Sequence, residues 1–365
     1  MAAIVHQIIY KIISVIISIA MLFGYSGDCL KADSSNWNTN YKYVFVHGLM
    51  GWGSYDIVNS MMPYWGMLGS DLMEYLNDKG FDCYAASVAP TSSAWDRACE
   101  LYAQLTGTVV DYGKAHSEEC GHDRFGEDFT GRALIESWSE NEKINLLGHS
   151  FGGATVRLFA SMMETGNEAE KAATNENELS DFFKGGKGNW IHSVTSLAAP
   201  HNGTTAYNTG GDEVANKDTA AYDMYIDNAM ALNKTIITHN KTYYFSIACD
   251  ATKQNDDGTY SPVESKMESM FIGSSKEIGK FTGVTKGGYV IDESWQRNDG
   301  LVNTISALAP SDAPTKNYDE ENVEKGIWNI MPVYDGDHMS LQGGLTKPHD
   351  VKDFYVNHLS MINSL

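Results

Sequence analysis

Short apolar runs alternate with amphipathic stretches along most of the chain. Runs at Tyr43 to Val46, Cys83 to Val88, Ile144 to Leu147, Val194 to Ala198 and Tyr243 to Ala248 have the length and continuity of strands covered on both faces. Between them, Leu68 to Leu76, Trp95 to Leu105, Gly153 to Met163 and Ala221 to Leu232 space their apolar residues as helices do. A late strand-like run, Ile327 to Tyr334, precedes Val351, Phe354, Tyr355, Leu359 and Ile362, whose spacing predicts a docked terminal helix. Strands and helices in alternation predict an α/β architecture: a mostly parallel central sheet with helices on both faces.

Residues 1–32 differ in kind from the rest. Ile12 to Tyr25 is a nearly unbroken apolar run behind Lys11, followed by Ser26, Gly27 and the small Ala32, and reads as a secretory signal peptide. Its 14 residues fall short of the roughly 20 that cross a bilayer, so no stable membrane insertion is expected after cleavage. Asp28 before Cys29 argues against lipoprotein processing. Residues 33–365 show no internal repeat and no long linker, so one domain is expected in a secreted, extracellular product.

Composition narrows the field. The 365 residues are 42% hydrophobic and 20% charged, enough apolar material for a sizeable core and unlike a disordered chain. With 47 acidic against 26 basic residues the net charge is −21, a surface that repels phosphate backbones, so nucleic acid is excluded as a partner. Five scattered cysteines do not make a disulfide framework.

Chemistry enters at Gly148, His149, Ser150, Phe151 and Gly152, a G-x-S-x-G pentapeptide set between the run Ile144 to Leu147 and a helical pattern. That context is what a nucleophilic serine on a sharp strand-to-helix turn requires, with small residues where backbones close in. Such a serine needs a base, and the base needs a carboxylate to fix its tautomer; in this arrangement they follow in the order Ser, acid, His. His338, His349 and His358 are available. His358 falls among helical positions and His349 beside Pro348, whereas His338 follows a strand-like run and the turn Asp335 to Asp337, so His338 is taken as the base. Asp299, in a turn ahead of Leu301 and Val302, is the favoured acid, with Asp292, Asp335 and Asp337 as competitors. Donors for the developing oxyanion are expected from the amides of Phe151, next to the nucleophile, and Leu49, in the loop after Tyr43 to Val46.

These residues, with VFVHGLMGWG (44–53), LLGHSFGG (146–153), SLAAPHNGTT (196–205), DTAAYD (218–223), WQRNDGLVNTIS (295–306) and WNIMPVYDGDH (328–338), make the chain similar to the secreted large lipases found in Geobacillus and Staphylococcus. The stretch 92–126, with its WDRA, DYGKAH and GH elements, matches too. The resemblance implies an α/β-hydrolase fold with Ser150, Asp299 and His338 as triad. It also implies a structural zinc held by Asp96, His116, His122 and Asp218, in a small insertion of about 91–126 with 206–223; Cys120 between the histidines is a substitute ligand. Two departures stand out. Only Ala206 to Lys217 separates Thr205 from Asp218, where the family carries a long lid, so a reduced lid and an open site are expected. Beyond His338 stand Ser340, Leu345 and Thr346 where the family places calcium-binding acids, so calcium is not expected.

The expected function is that of a secreted serine hydrolase cleaving carboxylic esters, lipid or polyester included, through an acyl-enzyme. An acyltransferase with the same triad, and a non-catalytic zinc-stabilised surface-binding protein, are the alternatives. Residues 251–290 match the family poorly, and the sequence yields no account of them.

Overall fold

A computed structural model describes residues 41–208 and 216–365. The expected signal segment, and 209–215 of the shortened connection, lie outside the described residues.

Seven strands, β1 (Lys42–Val46), β2 (Cys83–Ala86), β3 (Ile144–His149), β4 (Ile191–Leu197), β5 (Tyr243–Ile247), β6 (Thr315–Asn317) and β7 (Trp328–Ile330), form one sheet in the order β6-β7-β5-β4-β3-β1-β2. Every pairing in it is parallel. Side chains alternate across a strand, so the central strands feed two cores. Val44, Val46, Leu146 and Val194 point into one, against Ala98, Leu101 and Leu105 of α2 (Ala94–Thr106) and Val156, Phe159 and Met163 of α4 (Phe151–Thr165). Tyr43, Phe45, Leu147, Leu197 and Phe245 point into the other, against Leu72 and Leu76 of α1 (Leu72–Asp78) and Tyr355, Leu359 and Ile362 of α6 (Lys352–Asn363). Central strands buried on both sides account for the mainly apolar runs, and polar residues inside them pair with one another, as Ser193 Oγ does with Asn145 Oδ1 (2.7 Å). Among the described residues, no helix is long and apolar enough to cross a membrane.

Where elements depart from the expected bounds, polar side chains take over backbone groups. The helix expected over Leu68 to Leu76 starts only at Leu72, because Asp71 caps it, accepting from Met73 N (2.9 Å) and Glu74 N (3.1 Å). The strand expected to reach Val88 stops at Ala86: Ser87 N donates to Gln104 Oε1 (2.9 Å) and Val88 N to His47 Nε2 (3.2 Å). The helix expected over Ala221 to Leu232 is two, Ala220–Asp223, capped by Thr219, and α5 (Ile226–Asn233). The late strand ends at Ile330, since Pro332 cannot donate to a ladder; Tyr334–Asp335 pairs instead with Cys249–Asp250. Of the segment 91–126, α2 belongs to the main helical layer. A ribbon of Val109–Asp111 with Phe125–Asp128, and α3 (Lys114–Cys120), follow it in the chain. Residues 251–290 form a hairpin (Thr252–Gln254 with Tyr260–Pro262), a helix (Ile272–Ile278) and a second ribbon (Gly283–Val284 with Val290–Ile291).

Candidate active site

Ser150 sits between β3 and α4 with φ 57° and ψ −128°, a left-handed conformation that a side-chain-bearing residue adopts only under constraint. The constraint is visible at its glycines. A Cβ on Gly148 would lie 2.3 Å from Gly152 O, and one on Gly152 would lie 2.2 Å from Val46 O. Ser150 N donates to Leu197 O (2.8 Å), tying the turn to the end of β4.

His338 Nε2 lies 2.8 Å from Ser150 Oγ, and His338 Nδ1 lies 2.8 Å from Asp299 Oδ2. All three residues are more than nine-tenths buried. Asp299 Oδ1 accepts from the amides of Leu301 (3.0 Å) and Val302 (2.7 Å), and Asp299 O accepts from His338 N (2.8 Å). The carboxylate and imidazole planes are therefore both fixed. Burial works against a charged His338, but the charge and hydrogen bond of Asp299, with Asp337 adding, outweigh it and raise His338 above the ordinary imidazole value.

The other histidines and acids have different partners. His358 Nε2 meets Thr195 Oγ1 (2.9 Å) and His349 Nε2 meets Ser340 Oγ (3.2 Å). Asp335 pairs with Lys266 (2.6 Å), Asp292 accepts from Ser294 N (3.0 Å), and Asp337 Oδ2 accepts from Glu268 N (2.6 Å).

Gly48 is pressed so close to the serine that a Cβ would lie 2.7 Å from Ser150 Cβ, which brings the Gly48–Leu49 peptide beside the nucleophile. Gly48 O contacts His47 Nδ1 (2.8 Å) and accepts from Arg97 Nη1 (3.4 Å), while Arg97 Nη2 donates to His47 O. In a trans peptide the N–H points opposite the carbonyl, so these donors aim the Leu49 amide away from Arg97. His47, fully buried beside Arg97, is depressed to about 3 and stays neutral. Arg97, together with Tyr64, whose hydroxyl lies 3.1 Å from Gly48 N and 2.6 Å from His149 Nδ1, and His149 itself, were missed by sequence reasoning. The first stands inside the WDRA element and the last inside the pentapeptide, but their partners are distant in the chain.

The loop behind His338 is tied down by Glu268. Its Oε1 accepts from the amides of Leu345 (2.9 Å), Thr346 (2.6 Å) and Lys347 (2.9 Å), and Oε2 accepts from the Thr346 hydroxyl. Lys347 Nζ returns to the carbonyls of Glu264 and Met267, each at 2.5 Å.

A second cluster lies on α2, α3 and the loop before Ala220–Asp223. His116 Nε2 is 3.1 Å from Asp96 Oδ1 and 3.5 Å from Asp218 Oδ1; His122 Nε2 is 3.3 Å from Asp218 Oδ2 and 3.9 Å from Asp96 Oδ1. Ligand atoms held tetrahedrally at zinc-like bond lengths stand roughly 3.3–3.4 Å apart. His122 Nε2 is buried without a hydrogen bond, an orphan facing two carboxylates. Burial alone would keep His116 neutral, yet Asp218 and Asp96 carry it up to about 9, so the two carboxylates outweigh burial and favour positive charge on the ring. Cys120 Sγ, 3.8 Å away, faces His116 Nδ1 on the opposite edge of the ring; its sulfur, with atoms of His116, His122 and Asp218, also forms a compact group that could hold a metal.

A parallel sheet, a strained serine at the carboxyl end of β3 and loops from neighbouring strand ends converging on it define an α/β-hydrolase fold. Residues 39–217 and 214–358 match the family model described as "Lipase-like, C-terminal domain", and the chain belongs to that family. It is 31% identical over 375 aligned residues to Lipase 2 of Staphylococcus aureus, covering 86% of this chain and 52% of that protein. The chain thus spans about half the length of the curated relatives it matches. Among solved structures, it is similar to EstA from Clostridium botulinum (TM-score 0.84, 30% identity, 98% of each chain). It is also similar to the lipase of Staphylococcus hyicus (TM-score 0.79, 28% identity, 91% of this chain and 98% of that one).

Proposed function

We propose that the chain hydrolyses carboxylic esters through an acyl-enzyme, with Ser150 as nucleophile, His338 as general base and then acid, and Asp299 orienting His338. The observation that carries this reading is the unbroken row of 2.8 Å contacts from Ser150 Oγ through both ring nitrogens of His338 to Asp299. His338 Nε2 takes the hydroxyl proton as Ser150 Oγ attacks the ester carbonyl. Asp299 stabilises the resulting imidazolium, and the amides of Leu49 and Phe151 receive the oxyanion. Collapse expels the alcohol with the proton from His338; water, deprotonated by the same nitrogen, then attacks the acyl carbon, and the acid leaves as the acyl–Oγ bond breaks and His338 returns its proton to Ser150 Oγ. Relatives named lipases support an acyl ester as substrate.

Asp96, His116, His122 and Asp218 would hold a zinc ion, with the spacing above and the orphan His122 nitrogen in support. Two imidazoles and two carboxylates are a donor set suited to a structural zinc, and an ion held by them would join α2, α3 and the Asp218 loop rather than supply chemistry. Export rests on the apolar segment within residues 1–32.

The test is a fluorescent phosphonate that labels activated serines, run beside p-nitrophenyl esters of rising chain length, triolein and a polyester film. Labelling of Ser150, with both labelling and turnover lost in Ser150→Ala, is the expected result. Undiminished turnover in Ser150→Ala would dismiss the triad, and the rate profile identifies the acyl class.

A further inference from the structure

Behind the site, a buried row of hydrogen bonds joins the loop that carries the Leu49 amide to the backbone of the base. Gly48 N is 3.1 Å from the Tyr64 hydroxyl, that hydroxyl is 2.6 Å from His149 Nδ1, and His149 Nε2 is 2.8 Å from His338 O. Its direction is dictated by its ends. A backbone amide can only donate and a carbonyl can only accept. Tyr64 therefore receives from Gly48, its single proton goes to His149 Nδ1, and the ring's remaining proton stands on Nε2 and reaches His338 O. The row needs His149 neutral, and burial with the neighbouring His338 depresses it to about 3.

Each end of the row holds a peptide that matters to the proposed chemistry. At one end is Gly48, whose residue type is forced by contact with Ser150 and which, lacking a side chain, has the freest backbone. Its carbonyl is held by His47 and Arg97. The bond to Tyr64 holds the peptide on its other side, so both planes flanking Gly48 are fixed. At the other end, His338 N is already held by Asp299 O (2.8 Å), and the His149 bond fixes the peptide that follows. The two histidine rings lie 5.1 Å apart between centroids, tilted by 45°.

We propose that Tyr64, acting through His149, is a positioning residue that sets the oxyanion loop and the general base in register with each other. The proposal rests on the catalytic reading above. Neither side chain is assigned a contact with the ester, so removing the row should lower the rate of the chemical step and leave ester binding nearly alone.

Tyr64→Phe is the clean perturbation, because the ring's contacts with Trp65 (5.3 Å), Trp52 (5.6 Å) and His47 (5.7 Å) do not use the hydroxyl. On p-nitrophenyl butyrate, kcat should fall about tenfold or more with KM within roughly twofold, the signature of an interaction that counts in the transition state. His149→Leu should fall equally far. His149→Gln, whose amide offers an acceptor and a donor spaced much as the ring nitrogens are, should recover most of the rate, and Tyr64→Phe combined with His149→Leu should cost no more than either alone. In the wild-type chain, nitrogen-15 NMR should find His149 as the fixed Nε2–H tautomer across neutral pH. A wild type labelled by the phosphonate whose Tyr64→Phe variant keeps full kcat and loses only melting temperature overturns the row alone, as does an Nδ1–H or mixed tautomer for His149. A wild type that the phosphonate does not label overturns the row and the catalytic reading together.

Discussion

Replacing Asp299 by asparagine isolates what that carboxylate does. The side chain keeps its size, and Oδ1 continues to accept from the amides of Leu301 and Val302 at 3.0 and 2.7 Å. Those two donors decide the orientation of the new amide. Turned the other way, it would set its NH₂ against two backbone N–H groups, losing two buried hydrogen bonds at about 1 kcal/mol or more each. The NH₂ therefore faces His338 Nδ1, which must become an acceptor, and the ring proton moves to Nε2, where it points at Ser150 Oγ. In that tautomer the ring cannot take the serine proton. The same exchange in a serine protease triad lowers kcat about 10⁴-fold, which corresponds to about 5.5 kcal/mol of activation free energy. For Asp299→Asn a similar loss is expected in kcat on p-nitrophenyl butyrate, with circular dichroism and melting temperature close to wild type. Labelling of Ser150 by the phosphonate should slow in parallel. A correctly folded variant that loses less than about tenfold would refute the tautomer argument.

Chelation should lower thermal stability while leaving turnover of a short ester at low temperature intact. A metal at 100 times its Kd adds about 2.7 kcal/mol to the folded state, and immediate loss of turnover with an unchanged melting curve would make the metal catalytic. The kcat/KM profile should rise with pH through an apparent value above 6.5, because His338 must be neutral to act as base. The same raised value has the opposite sign for stability: the favoured imidazolium contributes fully below 6.5, and that contribution is lost as pH rises through the folded-state value. A profile midpoint below 6.5 would contradict the influence of Asp299 on His338. Glu268→Ala should cost about 2–4 kcal/mol in urea unfolding, since three backbone amides and a hydroxyl lose their acceptor; a change under about 0.5 kcal/mol would mean the loop rearranges to satisfy them elsewhere.

The central strands were legible because burial on both faces favours mainly apolar sequence, as in Tyr43 to Val46. β6 was not: Thr315, Lys316 and Asn317 form a polar strand at the edge of the sheet, where only one neighbour pairs with it. The break after Asp223 was hidden because the apolar spacing continues through it, while the partner that takes a backbone group there is remote: Met224 O accepts from Thr204 N (3.0 Å). The serine turn was legible because its glycines are adjacent in sequence and its context is local. Tyr64, Arg97 and Glu268 act on partners 85, 49 and 78 residues away, and nothing in the local pattern separates such residues from ordinary core or surface ones.

The order in which Ser150, Asp299 and His338 occur also governs when a growing polypeptide could become chemically competent. Translation makes residue 150 early, residue 299 much later and residue 338 last, and α6, which covers the second core, follows still later. Any product interrupted before residue 338 carries the hydroxyl without its proton acceptor.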